Sequence, residues 1–165
     1  MNTRTATPPP RVAFYGRTAD ASDPGTAALV LGGQYQQCVS VLPEGAITAV
    51  FYDLGTRPHY QPAPARLSLD NERQVRREGG LDDLLTRASR PWRRFDFVIS
   101  TDVYRLSRRT AMSTAILRAL ALANIEFLHA PEIPDGHRLP VAPWRLRSVA
   151  YINVLTRLIA EGDDR

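Results

Sequence analysis

Two short stretches of the chain hold the residue types that could act on a phosphate. Tyr15-Gly16-Arg17-Thr18-Ala19 closes one β-prone run, and Asp102-Val103-Tyr104-Arg105-Leu106-Ser107-Arg108-Arg109 closes another. A guanidinium presents a rigid fork of N–H donors that fits phosphate oxygens better than an ammonium does. Arg105 and Arg108 have i and i+3 spacing, so an opening helical turn would set both on one face, converging on a single anion. Fixed cations of this kind stabilise the charge that spreads over non-bridging oxygens in phosphoryl transfer. An isolated R-x-x-R is also what a solvated helix start looks like, so position in the fold has to decide. Number decides little. The chain has 21 basic residues against 17 acidic ones, net +4, and every basic residue is arginine. A GC-rich coding bias accounts for a total lack of lysine as readily as phosphate recognition does.

The segments that must position these clusters alternate between strand and helix. Arg11 to Gly16 reads as a first strand that stops at a glycine. Turn formers from Thr18 to Gly25 lead into a helix expected over Thr26 to Leu42. Within it Gly32-Gly33 invites a kink, since each glycine costs about 1 kcal/mol relative to alanine. Ala46 to Tyr52 is a second strand with Asp53 at its end. From Thr56 to Gln74 the chain is polar and carries Pro58, Pro62 and Pro64, which reads as a long functional loop or an insertion. Leu81 to Ala88 has one apolar face and acids in its first turn, the pattern of a short helix. Phe95 to Ser100 is a third strand and Ile125 to His129 a fourth. Between them, Met112, Ala115, Ile116, Ala119, Leu120 and Ala123 mark a helix over Thr110 to Ala123. Its opposite face carries Leu117, Ala121 and Leu122, so burial on more than one side is expected, a protein partner being one explanation. A proline-rich loop at 131–143 precedes a last helix from Trp144 to Ala160, whose wide apolar face should pack on the core or on another subunit. The expected fold is therefore α/β, a mainly parallel sheet with helices on both faces. Ligands on such sheets sit at the carboxyl ends of the strands, where segments 17–25, 53–77 and 101–109 fall.

Composition sets outer limits. With 165 residues, 44% hydrophobic and 23% charged, the chain is expected to form one domain over 11–160, between a disordered arm at 1–10 and a polar tail at 161–165. No apolar run approaches the roughly 20 residues of a membrane span. The start of the chain does not read as a signal peptide, so a cytoplasmic location is expected. A lone Cys38 excludes an internal disulfide and a cysteine-rich zinc site, and reads as a small core residue. His59, His129 and His137 have no ligand spacing, so no metal is expected and no cofactor is called for. Neither G-x-G-x-x-G nor G-x-x-x-x-G-K-[ST] occurs after the first strand.

The two clusters together resemble the serine recombinases: resolvases, invertases and large serine integrases. That family opens with a strand followed by Tyr-x-Arg-x-Ser, and Tyr15-x-Arg17-x-Ala19 matches all but the serine. A second family pattern, acid-Arg-Leu-Ser-Arg, corresponds to Tyr104-Arg105-Leu106-Ser107-Arg108, with tyrosine in place of the acid. Gln34, Asp53 and Arg77, the last before Gly79-Gly80-Leu81-Asp82-Asp83-Leu84-Leu85, fall in the family's order. The resemblance implies a resolvase-like catalytic domain with only part of the C-terminal interface helix. It implies a reaction in which a serine hydroxyl attacks a DNA phosphate, giving a 5′-phosphoserine and a free 3′-hydroxyl. Arg17, Arg77, Arg105 and Arg108 would then hold the phosphate, and Asp53 would position the site. Ala19 has no lone pair with which to attack. The reading preferred on these residues is a degenerate or regulatory recombinase copy that binds DNA phosphate and forms a homo-oligomer, or a hetero-oligomer with a recombinase. An active enzyme using Ser22 or Tyr104 is one alternative; an α/β protein binding a nucleotide or other anion is another. Arg90, Arg93 and Arg94 around Trp92 form either a basic patch for DNA backbone or a solvated loop, and Trp92 and Trp144 read as packing residues.

Overall fold

The computed structural model describes residues 10–19, 24–55, 66–68 and 74–130. The expected arm up to residue 9, the loop at 131–143, the last helix, the tail and Ser22 lie outside the described residues. In chain order the elements are β1 (Val12–Thr18), α1 (Pro24–Ser40), β2 (Ile47–Leu54), β3 (Arg66–Ser68), β4 (Gln74–Arg76), α2 (Leu81–Ala88), β5 (Phe97–Ser100), a 3₁₀ turn (Val103–Arg105), α3 (Thr110–Leu122) and β6 (Glu126–His129).

Strand alternation divides the core in two. Val12 and Phe14 project to one side of β1, Ala13 and Tyr15 to the other, and all four are buried, as in a sheet covered on both faces. On the Phe14 side α1 packs Ala27, Leu31 and Cys38 against Val50, Tyr52, Ile99 and Leu128. On the Tyr15 side α2 and α3 pack Leu84, Ala88, Ile116, Leu117 and Leu120 against Phe51, Val98 and Phe127. The four main strands are parallel, in the order β2-β1-β5-β6. The fold is α/β, as the alternating segments predict.

Several local expectations need correcting. The β1–β2 ladder runs further than the glycine and aspartate suggest, to a bond from Gly55 N to Thr18 O at 2.7 Å. Arg17 and Asp53 therefore stand on strands, opposite each other in register, and not in loops. The stretch from Thr56 to Gln74 is not irregular throughout, because β3 and β4 pair antiparallel at its end. Glu78 N donates to Val50 O and Gly79 O accepts from Tyr52 N, which covers the outer edge of β2. α1 passes through Gly32 and Gly33 without a break.

α3 buries Ser113, Ile116, Leu117 and Leu120 and leaves Met112, Ala115 and Ala119 exposed. Its rotation is fixed at the start, where Ser113 Oγ donates to Ser107 O at 2.8 Å. Of the face expected opposite, Leu117 is buried, whereas Ala121 and Leu122 are not covered within the described chain, Leu122 being 87% exposed. Leu117→Ala should thus cost about 2–5 kcal/mol of stability, whereas Leu122→Ala should stay within about 0.5 kcal/mol. Urea denaturation of both variants checks this, and equal losses would refute the assignment of faces.

Candidate functional site

The strand order creates a crevice. After β1 the chain leaves through α1 to β2 on one side, and it returns over β1 through α2 to β5 on the other. Connections that leave neighbouring parallel strands in opposite directions part at the carboxyl ends and open a ligand cleft between them. A cavity of about 240 Å³ lies there, lined by residues that include Arg17, Ala19, Tyr104, Arg105, Ser107 and Arg108. Gly55 and Arg109 complete its wall.

Hydrogen bonding shows how the crevice is held open. Val12 N and Thr18 O bond toward β2, so by alternation Arg17 N and O point to the β5 side. The pairing of β1 with β5 stops at Phe14. Gln34, from α1, takes the vacant pairing position: its Oε1 accepts from Arg17 N at 3.1 Å and its Nε2 donates to Arg17 O at 2.9 Å. Arg105 Nη1 donates to the same carbonyl at 3.3 Å. The two arginine clusters, 88 positions apart in sequence, are thereby joined. Arg105 Nε is buried with no hydrogen-bond partner among the described residues. Such a donor is costly to leave unmade.

The second cluster is not one continuous helical turn. Asp102 Oδ1 accepts from Tyr104 N at 2.8 Å and caps the 3₁₀ turn that carries Arg105. Ser107 Oγ then accepts from Arg109 N at 3.1 Å, and α3 begins only at Thr110. Their spacing predicts a shared helix face, but Arg105 stands on the 3₁₀ turn and Arg108 on the irregular link after it; both line one cavity. The reason is competition from Asp and Ser side chains for backbone N–H groups. Tyr104 lines the cavity and is 54% exposed.

Asp53, Tyr15 and Arg77 form a separate centre that does not line the cavity. Asp53 is buried, its side chain 7% exposed. It accepts from Tyr15 Oη at 3.0 Å and from Leu81 N at 2.9 Å, so a strand residue caps α2. Gly80 must remain glycine, since a Cβ there would collide with Asp53 Oδ1. Arg77 Nη2 lies 3.6 Å from Asp53 Oδ1. Its Nε donates to Tyr52 O at 2.9 Å, with the guanidinium 5.3 Å from the Tyr52 ring centroid. Arg17, Ala19, Tyr104, Arg105 and Arg108 are brought together; Gln34 supports them from behind; Asp53, Arg77 and Tyr15 stand apart. Gly55, Ser107 and Arg109 were not singled out as site residues by sequence, although Ser107 and Arg109 lie inside the second cluster. Among the described residues no group of three or more His, Cys, Asp or Glu could hold a metal, and no helix is long and apolar enough to cross a membrane.

Comparison with known protein families and with curated proteins finds no match to this chain. Among solved structures, the chain is similar to a resolvase family site-specific recombinase from Streptococcus pneumoniae, with a TM-score of 0.52 and 11% identity over 94% of this chain and 93% of that one. It is also similar to the N-terminal catalytic domain of TP901-1 integrase, with a TM-score of 0.48 and 15% identity over 90% of this chain and 98% of that one. At 11% identity the first likeness is one of fold: a four-stranded parallel sheet with three helices, resembling a resolvase catalytic domain.

The Tyr15–Asp53 pair has a pH signature. Burial, and then the adjacent Asp53 carboxylate, push the Tyr15 hydroxyl well above the ordinary tyrosine range. Burial also lifts Tyr52 to about 12, against the opposing pull of Arg77. A folded state that keeps protons the unfolded chain releases is fully stabilised below about pH 10 and loses that stabilisation as pH rises further. Tyr15→Phe should cost about 1 kcal/mol at neutral pH and should lose less stability than the parent on going from pH 9 to pH 11. Urea titrations across that range measure both; an unchanged alkaline slope would show that Tyr15 is not the titrating group.

Proposed function

We propose that this chain is a serine-recombinase-like domain of site-specific DNA recombination, spanning about residues 11–160, that holds DNA phosphate through arginines and lacks the family's nucleophile. One observation carries this reading: Arg17, Ala19, Arg105 and Arg108 line a single cavity at the carboxyl edge of the sheet. The likeness in fold to a resolvase family site-specific recombinase supports it.

In this reading the guanidiniums of Arg17, Arg105 and Arg108 bind the non-bridging oxygens of a backbone phosphate. Arg105 lines the cavity, and its buried Nε has no hydrogen-bond partner among the described residues. Arg109 adds charge to the same wall. Gln34, Asp53 and Arg77 keep the strand ends and α2 in place. At position 19 a methyl group stands where the family has a hydroxyl, so no covalent phosphoserine forms there. The chain then acts as a regulatory or degenerate copy, on DNA, as an oligomer of its own, or beside active recombinase subunits. A second reading, an active enzyme using Ser22 or Tyr104, is favoured among the described residues by Tyr104, which lines the same cavity.

Duplex DNA should bind at low salt, with affinity falling linearly against the logarithm of salt concentration. Arg105→Ala and Arg108→Ala should each weaken binding across all sequences and lower the salt slope by about 1. Fluorescence anisotropy at several salt concentrations reads this; unchanged slopes in both variants would overturn the proposal. On a nicked duplex the parent chain should give no covalent adduct in denaturing gels, and Ala19→Ser should give one. An adduct from the parent chain mapped to Tyr104 would favour the second reading.

A further inference from the structure

A second cavity, of about 250 Å³, lies at the other end of the sheet. Its walls include Phe95, just before β5, and Ala49, near the start of β2, so it opens at the amino edge of the strands. Arg87, Arg90, Arg93 and Arg94 line it with Trp92. Their charges are unevenly compensated. Glu78 pairs with both Arg87 and Arg94, the latter at 2.7 Å. Arg93 donates from Nε to Phe95 O at 3.2 Å and from Nη2 to Asn124 O at 3.5 Å. Those partners are neutral carbonyls, which hold the side chain without cancelling its charge. Arg90 has no acidic partner among the described residues, and its guanidinium sits 6.0 Å from the centroid of the Trp92 ring.

Trp92 is 73% exposed, a large indole face left in water. An aromatic face next to guanidiniums with uncancelled charge matches one chemical unit on both sides: a base that stacks and a phosphate that accepts. An acidic peptide would engage the arginines and leave the ring idle. Duplex DNA would do the same, because its bases are already stacked on one another. We propose that this cavity binds a nucleotide unit, its base stacked on Trp92 and its phosphate held by Arg90 and Arg93, provided by a free nucleotide or by an unpaired strand. The site is independent of the Arg17 cavity and does not rest on the function proposed for it.

The full chain carries two tryptophans, so Trp144→Phe leaves Trp92 as the sole tryptophan, read by selective tryptophan excitation. Thymidine monophosphate, a short oligo-dT strand, a blunt duplex of the same length and polyglutamate are each titrated at low salt. The strand should quench Trp92, and the Arg90→Ala, Arg93→Ala double variant should weaken that response severalfold. With a dye-labelled strand, Trp92→Ala should lower affinity by roughly 5- to 150-fold, the range expected for one stacked base. Trp92 is exposed, so circular dichroism of this variant should match the parent. Quenching by the monophosphate at similar concentrations identifies a free nucleotide as sufficient; quenching by the strand alone identifies single-stranded nucleic acid. Equal quenching by polyglutamate or by the duplex, or none by strand and monophosphate, overturns the proposal. Loss of the Trp92 response in an Arg105→Ala, Arg108→Ala variant would also overturn it, since the signal would then come from the other cavity.

Discussion

The position of β1 between β2 and β5 constrains everything else in this molecule. A strand paired in parallel on both sides must send its connection out over one face, and the next crossover must return over the other. α1 covers the Phe14 face and α2 the Tyr15 face for this reason. The same geometry forces the segments after β1 and after β5 to diverge, so a gap at their carboxyl ends is built into the topology. Left alone, such a gap would strand backbone groups of Arg17 that no neighbouring strand can reach. Gln34 answers with an amide that mimics a strand, one acceptor and one donor. The cavity is a consequence of the fold, and the arginines are what the sequence adds to it.

Asp53 does the equivalent work on the other side of β1. A buried carboxylate is costly unless its oxygens are fully used. Here Tyr15, the first amide of α2 and Arg77 all converge on it. Ligating a phosphate is incompatible with that role, since the like charge would oppose the carboxylate. Its contribution to the candidate site is therefore one of scaffold: it fixes where β2 ends and α2 begins, and with them the wall at Gly55.

The strands, the helices and their two-faced burial were legible because each has a strong period: two along β1, three to four along α3. What escaped depends on side-chain hydrogen bonds over long separations. Arg17 was expected in a loop, because a glycine in front of it looks like a stop; Gln34 and Gly55, distant in sequence, keep the strand going. Arg105 and Arg108 were expected on one helical turn, because the spacing alone cannot register that Asp102 and Ser107 each take a backbone N–H for themselves. The rotation of α3 differs from what its spacing predicts for a similar reason. An alanine-rich helix offers nearly equivalent faces, and one serine hydroxyl decides between them. Convergence of the arginines on one cavity was nevertheless foreseeable, since any parallel sheet gathers its carboxyl-end segments at one edge.

Position 19 differs from Arg17, Arg105 and Ser107 in what its side chain does for the fold. Arg17 donates from Nε to Gly55 O at 3.4 Å, Arg105 donates across to Arg17 O, and the Ser107 hydroxyl accepts from Arg109 N just before α3. Substituting any of these disturbs the scaffold as well as the site. Ala19 is exposed and follows the last residue of β1. A change of side chain there adds or removes a single reactive group while leaving the packing of the sheet untouched. Under the proposed function, a change at position 19 removes chemistry at little cost in stability, while Arg17 and Arg105 remain held by hydrogen bonds of the fold.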